Sequence, residues 1–235
     1  MKLFDITVGK FIRLCQRSLL VKSTNSKFYD LLEYNAIKDS VTYVLENMPN
    51  ALYFDSKLRL RSYSVDLLPI LKSEDGFILE FGVYKGTSIN HFASLCPKSK
   101  IIGFDSFFGL EEDWAGHWPR KGWFNLNGSP PSVQKNVTLI QGLFEETLPE
   151  FLNKIDNKVI HLVHLDADTY KPTKFVLDQL IPKLKSDSII IFDEFFGYPG
   201  WKLHEYKAWS EAVLAHNVSY EFIGYTEKQV AVRVL

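Results

Sequence analysis

The sequence predicts an α/β protein: a Rossmann-like, mostly parallel seven-stranded sheet with helices on both faces, an antiparallel hairpin at its C-terminal edge and a helical cap in front. Three observations carry this. From about residue 76, short β-branched or aromatic runs alternate with helical stretches, which implies parallel strands joined by crossover helices. The run Ile189-Ile190-Ile191-Phe192 is apolar throughout, as a strand buried on both faces requires. The last two strand signals, 220–224 and 229–234, flank only a short turn at Thr226-Glu227-Lys228 and so can pair only as a hairpin.

The elements follow in order. Residues 1–70 carry helical patterns over 3–21, 27–47 and 61–71 and no strand signal. No Pro/Gly/Ser linker separates them from residues 71–235, so they form a cap on that domain rather than an independent one. In the first helix Phe4, Val8, Phe11, Ile12, Cys15 and Leu19 fall near helical spacing and offer a face to the body or to a second copy of the chain; contact with a membrane surface is the alternative. Asp5, Lys10, Arg13, Arg17 and Lys22 interrupt any signal-peptide core, and no run approaches the ~20 apolar residues of a membrane span. Strands are then expected at 77–81, 100–104, 136–140, 159–165 and 188–192. Helices are expected at 88–95, 146–154, 174–184 and 204–215. Residues 113–133 are irregular and hold Trp114, Trp118 and Trp123. A long loop this aromatic must cover something, so a lid is expected there.

Composition narrows the function. A formal net charge of -1 gives no basic field for nucleic acid or an anionic membrane. The two cysteines, Cys15 and Cys96, have neither disulfide-scaffold nor zinc spacing, which fits a reducing cytoplasm. No nucleophile elbow or Ser-His-Asp order supports a hydrolase.

Chemistry concentrates at strand ends. Ile78-Leu79-Glu80-Phe81-Gly82-Val83-Tyr84-Lys85-Gly86-Thr87-Ser88 runs from a buried strand through a glycine loop into a helix, at the carboxyl end where open α/β sheets bind ligands. Its E-x-G-x-x-x-G spacing is not the dinucleotide pattern, which disfavours NAD; a plain tight turn is the bland alternative. Asp105 ends the second core strand, followed by Ser106, and is placed to accept both ribose hydroxyls of a nucleoside or else to cap its own turn. Asp166 and Asp168 follow one strand, Asp193 and Glu194 the next. Four carboxylates at one rim raise each other's pKa and call for a cation, with Mg²⁺ the default, unless lysines or helix caps absorb them. His164 beside them is a candidate base or a partner of an acid.

Across about Leu71 to Trp209 these segments together resemble the macrocin O-methyltransferase type of class I S-adenosylmethionine-dependent methyltransferase. The likeness includes Gly103-Phe104-Asp105-Ser106-Phe107-Phe108-Gly109-Leu110, Gly142-Leu143-Phe144, Asp166-Ala167-Asp168-Thr169-Tyr170 and Phe192-Asp193-Glu194-Phe195-Phe196-Gly197-Tyr198-Pro199-Gly200-Trp201. The resemblance implies Mg²⁺-assisted methylation of a sugar-like hydroxyl, with Asp166, Asp193 and Glu194 on the metal and Asp168 as general base. It implies S-adenosylmethionine held by Glu80, Phe81, Gly82, Tyr84, Gly86, Thr87, Ser88 and Asp166, with Asp105 and Ser106 on the ribose and Gly142 and Phe144 near the adenine. Sugar-methylating members carry Asp-Asp where this chain has Asp193-Glu194, so metal-independent transfer to another small acceptor, or cofactor binding without turnover, stays open. A homo-oligomer through the N-terminal helices completes the expectation.

Overall fold

The computed structural model describes residues 26–68, 76–155 and 158–235. The helix expected at 3–21 lies outside them. Helix α1 (Ser26–Asn47) leads into a two-residue strand β1 (Leu52–Tyr53) and helix α2 (Lys57–Asp66). The core then alternates as expected: β2 (Phe77–Phe81), α3 (Thr87–Leu95), β3 (Lys100–Asp105), β4 (Val137–Gln141), α4 (Phe144–Ile155), β5 (Ile160–Leu165), α5 (Tyr170–Leu180) and β6 (Ile189–Phe192). Helix α6 (Glu205–His216) and strands β7 (Tyr220–Tyr225) and β8 (Val230–Val234) close the chain.

The sheet order is β1-β7-β8-β6-β5-β2-β3-β4. Strands β6, β5, β2, β3 and β4 are parallel, and β8 is antiparallel to both β6 and β7. Among the described residues the sheet therefore has eight strands rather than seven. The addition is β1, which pairs parallel with β7 through Leu52 and Tyr53, both exposed. The first half of the α2 pattern also starts earlier than 61, because Ser56 accepts the Arg59 N–H at 3.3 Å and caps the helix there.

Alternation along each strand divides the core between the faces. Leu79, Phe81, Phe104, Val163 and Phe192 pack with helices α4 to α6; Ile78, Ile101, Leu162 and Ile191 face α2 and α3. Phe81 stacks on Phe104 with ring centroids 4.8 Å apart. One residue in the all-buried strand β2 breaks the apolar rule: Glu80, fully buried. A carboxylate there needs partners on the neighbouring elements.

Helix α1 lies against the irregular 113–133 segment and the loop after β6. Tyr29 shares a 2.7 Å hydrogen bond with His117, the Gly197 N–H donates to Ser40 Oγ, and Tyr43 packs edge-on against Trp201 and Tyr206. Burial, reinforced by Lys228, lowers His117 to about 4, so its ring is neutral at physiological pH and suited to a hydroxyl partner. Tyr29→Phe is expected to cost about 1 kcal/mol, read as a lower urea midpoint at unchanged slope.

Candidate active site

Strand register brings the chemistry to one rim. Gly82 N–H donates to Phe104 O, Asp166 N–H to Phe81 O and Asp193 N–H to Leu165 O, so the first residues beyond β2, β5 and β6 stand side by side. This is the switch point of the sheet, where β2 lies between β3 and β5 and open α/β sheets bind ligands. Gly82 has φ 88°, and a Cβ there would meet the Asp166 carbonyl oxygen at 1.9 Å; only glycine lets the two loops close up.

A cleft of about 810 Å³, much of it open to solvent, lies at this point. Of the residues singled out from the sequence for cofactor binding or catalysis, Gly82, Tyr84, Asp105, Ser106, Gly142, Phe144, Asp166 and Asp168 line it. Phe124 lines it from the irregular 113–133 segment, which therefore does border the cleft, and Leu110 and Glu111 line it just ahead of that segment. Other expected positions lie elsewhere. Phe81 is core, Thr87 is exposed outside the cleft, and Gly86 (φ 78°) caps α3. Ser88 donates to Glu80 Oε1 at 3.0 Å, and both sit beneath the loop rather than on the cleft wall.

Asp105 caps its own turn and clamps the glycine loop, which leaves it only partly free for a ribose. Oδ2 accepts the Val83 and Tyr84 N–H groups at 2.8 Å each, and Oδ1 accepts Phe107 N–H at 2.7 Å. Three of roughly four carboxylate lone-pair sites are thus occupied, leaving room for one ribose hydroxyl rather than two. Its larger task is to hold the glycine loop.

His164 is fully buried and does not reach the cleft. Its Nδ1 lies 3.0 Å from Glu80 Oε2 and its Nε2 3.3 Å from Asp193 Oδ1, so it links two carboxylates from below. That placement removes it from the candidate bases: a proton acceptor must reach the hydroxyl it serves.

Two cations absent from the sequence reading complete the rim. Lys57 and Arg61 sit one turn apart on α2 and reach across to β6 together. Arg61 Nη2 donates to Asp193 Oδ1 at 2.7 Å, and Gln229 Nε2 donates to the same oxygen. Lys57 Nζ donates to Asp193 Oδ2 and, at 3.2 Å, to Glu194 Oε1. Burial would raise the Asp193 carboxyl, but His164, Lys57 and Arg61 hold it well below its usual range. The others move the opposite way. Burial first, then neighbouring acids, raises Asp166 and Asp168 well above their ordinary values and Glu194 to about 7. Glu205, fully buried, accepts the Glu194 N–H at 3.0 Å through Oε2, and its own carboxyl is likewise raised by burial.

The metal set implied by resemblance does not fit this arrangement. Both Asp193 oxygens are engaged by Lys57, Arg61, Gln229 and His164, and one Glu194 oxygen is on Lys57. The donor atoms that do converge are those of Asp166, Asp168 and Glu194, all within 4.8 Å of one another, or His164, Asp166 and Asp193. Neither is the expected trio, and each shares an acid with the Lys57 ammonium. A nucleoside cofactor carrying positive charge fits better: Phe144 and Leu110 supply apolar wall, Asp105 a ribose partner, and Asp166 and Asp168 carboxylates without a protein cation in hydrogen-bond contact among the described residues.

A doubly wound sheet that ends in an antiparallel hairpin, with its cleft at the switch point, defines the class I methyltransferase fold. Residues 79–195 match the family model described as a methyltransferase domain. Among solved structures it is similar to CalS11, a calicheamicin methyltransferase, at 24% identity over 90% of this chain and 93% of that one, with a TM-score of 0.62. An apo structure of CalS11, described as a TDP-rhamnose 3'-O-methyltransferase, aligns at 23% identity over 92% and 97% with a TM-score of 0.55. The O-methyltransferase NovP aligns at 18% identity over 75% and 78% with a TM-score of 0.56. At such identities the likeness speaks for the fold. No curated protein sequence matches the chain significantly.

Proposed function

We propose that this chain is a methyltransferase that uses S-adenosylmethionine to methylate a hydroxyl of a sugar-like small molecule, as the macrocin O-methyltransferase type does. The observation that carries the reading is the pairing, in one cleft, of Asp105, which keeps room for a ribose hydroxyl, with the carboxyls of Asp166 and Asp168. When bound, the cofactor supplies an electrophilic methyl group on a sulfonium. The Asp166 carboxylate offsets cationic charge there, while Asp168 accepts the proton of the acceptor hydroxyl as the oxygen attacks. CalS11 is described as a TDP-rhamnose 3'-O-methyltransferase and NovP as an O-methyltransferase, which supports an oxygen acceptor and, from CalS11, a sugar.

Asp168 is held at φ 62°, a conformation Asp tolerates and most residues do not. The backbone thus fixes the base in a strained turn at the cleft, a pattern found where strain serves function. Self-association through α1 is part of the same reading: Phe28, Leu31, Val41 and Leu45 are exposed along it.

The first test is calorimetric titration of the protein with S-adenosylmethionine. Saturable one-to-one binding is expected, with Asp105→Ala weakening it at least tenfold because the ribose partner and the clamp on Val83 and Tyr84 are lost together. Absence of binding overturns the assignment. A screen of sugar nucleotides, read as a mass gain of one methyl group, then identifies the acceptor.

A further inference from the structure

The expected metal set and the observed bonding disagree, and the disagreement has a definite form. A dication at Asp193 and Glu194 would have to bridge one oxygen of each. The atom that does so is Lys57 Nζ, which donates to Asp193 Oδ2 and Glu194 Oε1. Arg61 secures the remaining Asp193 oxygen. We infer that Lys57 supplies the positive charge for which relatives would use a divalent ion, and that the enzyme needs no metal. The inference deepens the methyl-transfer reading and rests on it for the word enzyme, but its primary readout, metal binding, does not.

Three features support it. First, the bridge is built from the helical cap rather than from the sheet: Lys57 is the first residue of α2, capped by Ser56, and Arg61 follows one turn later, so both cations arrive on one rigid element. Second, the pair is graded from surface to interior. The Lys57 side chain keeps 40% of its exposure, while those of Asp193 and Glu194 keep 6% and 13%. An ammonium on a flexible stem can occupy such a position while its methylenes cover the rim. Third, Glu194 is held in place independently of any ligand. Its N–H goes to Glu205, a residue from α6 buried completely. Glu is one methylene longer than the Asp that the resembled family has here, and that methylene gives the carboxylate reach toward a residue on α2.

Lys57 is on this account a positioning residue. It fixes Asp193 and Glu194 and screens their charge from Asp166 and Asp168, the acids left facing the cleft. A dication placed among Asp166, Asp168 and Glu194 would share Glu194 with an ammonium and be repelled by it.

The test is Mn²⁺ binding to the full-length protein, followed by the loss of the free-ion electron paramagnetic resonance signal. Three proteins are compared: wild type, Lys57→Met, which keeps the apolar stem, and Lys57→Arg, which keeps the charge. Wild type and Lys57→Arg are expected to show no saturable binding. Lys57→Met is expected to bind one Mn²⁺ at least tenfold more tightly than wild type, to melt at a higher temperature with the ion than without it, and to lose the site again when Glu194→Gln is added. Stoichiometric Mn²⁺ binding by wild type overturns the inference, and so does a folded Lys57→Met that binds no better than wild type. Should Lys57→Met fail to fold, the Lys57→Arg and wild-type titrations decide alone. With an acceptor in hand, wild-type turnover should be unchanged by EDTA. Failure to bind S-adenosylmethionine would sink the methyltransferase reading while leaving the Mn²⁺ result standing on its own.

Discussion

Asp193→Asn is expected to lower folding stability by about 3 kcal/mol or more, measured by urea denaturation at neutral pH. The residue is 4% exposed, and its carboxylate ties three elements to the end of β6: α2 through Lys57 and Arg61, β5 through His164, and β8 through Gln229 just ahead of it. Asparagine keeps one acceptor oxygen and turns an NH₂ toward donors, so Arg61, itself 6% exposed, is left buried without a counter-charge. The effect should depend on pH with a determined sign. Asp193 is held below its unfolded value, so its contribution is present above about pH 4 and disappears as the pH falls through the folded pKa. The gap between wild type and variant should therefore close in acid. If Asp193 served only as a metal ligand, its replacement would relieve repulsion among the acids and leave stability unchanged or higher. Unchanged stability at pH 7 would reject the anchoring role.

The same residue shows what the sequence makes legible and what it does not. That Asp193 belongs to the site can be read locally, because an acid directly after Ile189–Phe192 sits at the carboxyl end of a doubly buried strand. The core strands and their order of appearance are equally local, since burial on both faces writes itself as unbroken apolar runs. What Asp193 bonds to is not local. Lys57 lies 136 positions away and Arg61 132, on a helix whose charged pattern reads as an ordinary solvated face. Only the packing of α2 against the sheet turns that face inward. Strand β1 escapes for the opposite reason: two exposed residues are too few to show alternation, and they become a strand only by pairing with β7. His164 and Glu80 illustrate a third case. Their presence in buried strands marks them as special, yet whether a buried polar residue meets the ligand or supports one that does depends on which side of the loop it lies. The structure puts both beneath it.

Asp168→Asn is expected to reduce kcat by about 10²- to 10⁴-fold, the usual worth of a positioned general base, with S-adenosylmethionine affinity changed only a few-fold. Asparagine is nearly the same size and also tolerates positive φ, so the turn at φ 62° should survive and the loss should be chemical rather than structural. The wild-type pH profile provides an independent check. Burial and the neighbouring Glu194 and Asp193 raise the Asp168 carboxyl, and Glu194 itself stands at about 7. A base must be ionised to accept a proton, so kcat/KM should rise with pH, and its acid limb should fall well above the pH 4 region of an ordinary carboxylate. The adjoining acids titrate together, so the limb reports the group of carboxylates rather than one of them. In Asp168→Asn the residual rate should lose most of that dependence. A variant that keeps more than a third of wild-type kcat, or a wild-type profile already flat from pH 5 upward, would remove Asp168 from the role of base. The first outcome would leave Asp166, the other carboxylate facing the cleft without a hydrogen-bonded cation among the described residues, as the group to examine.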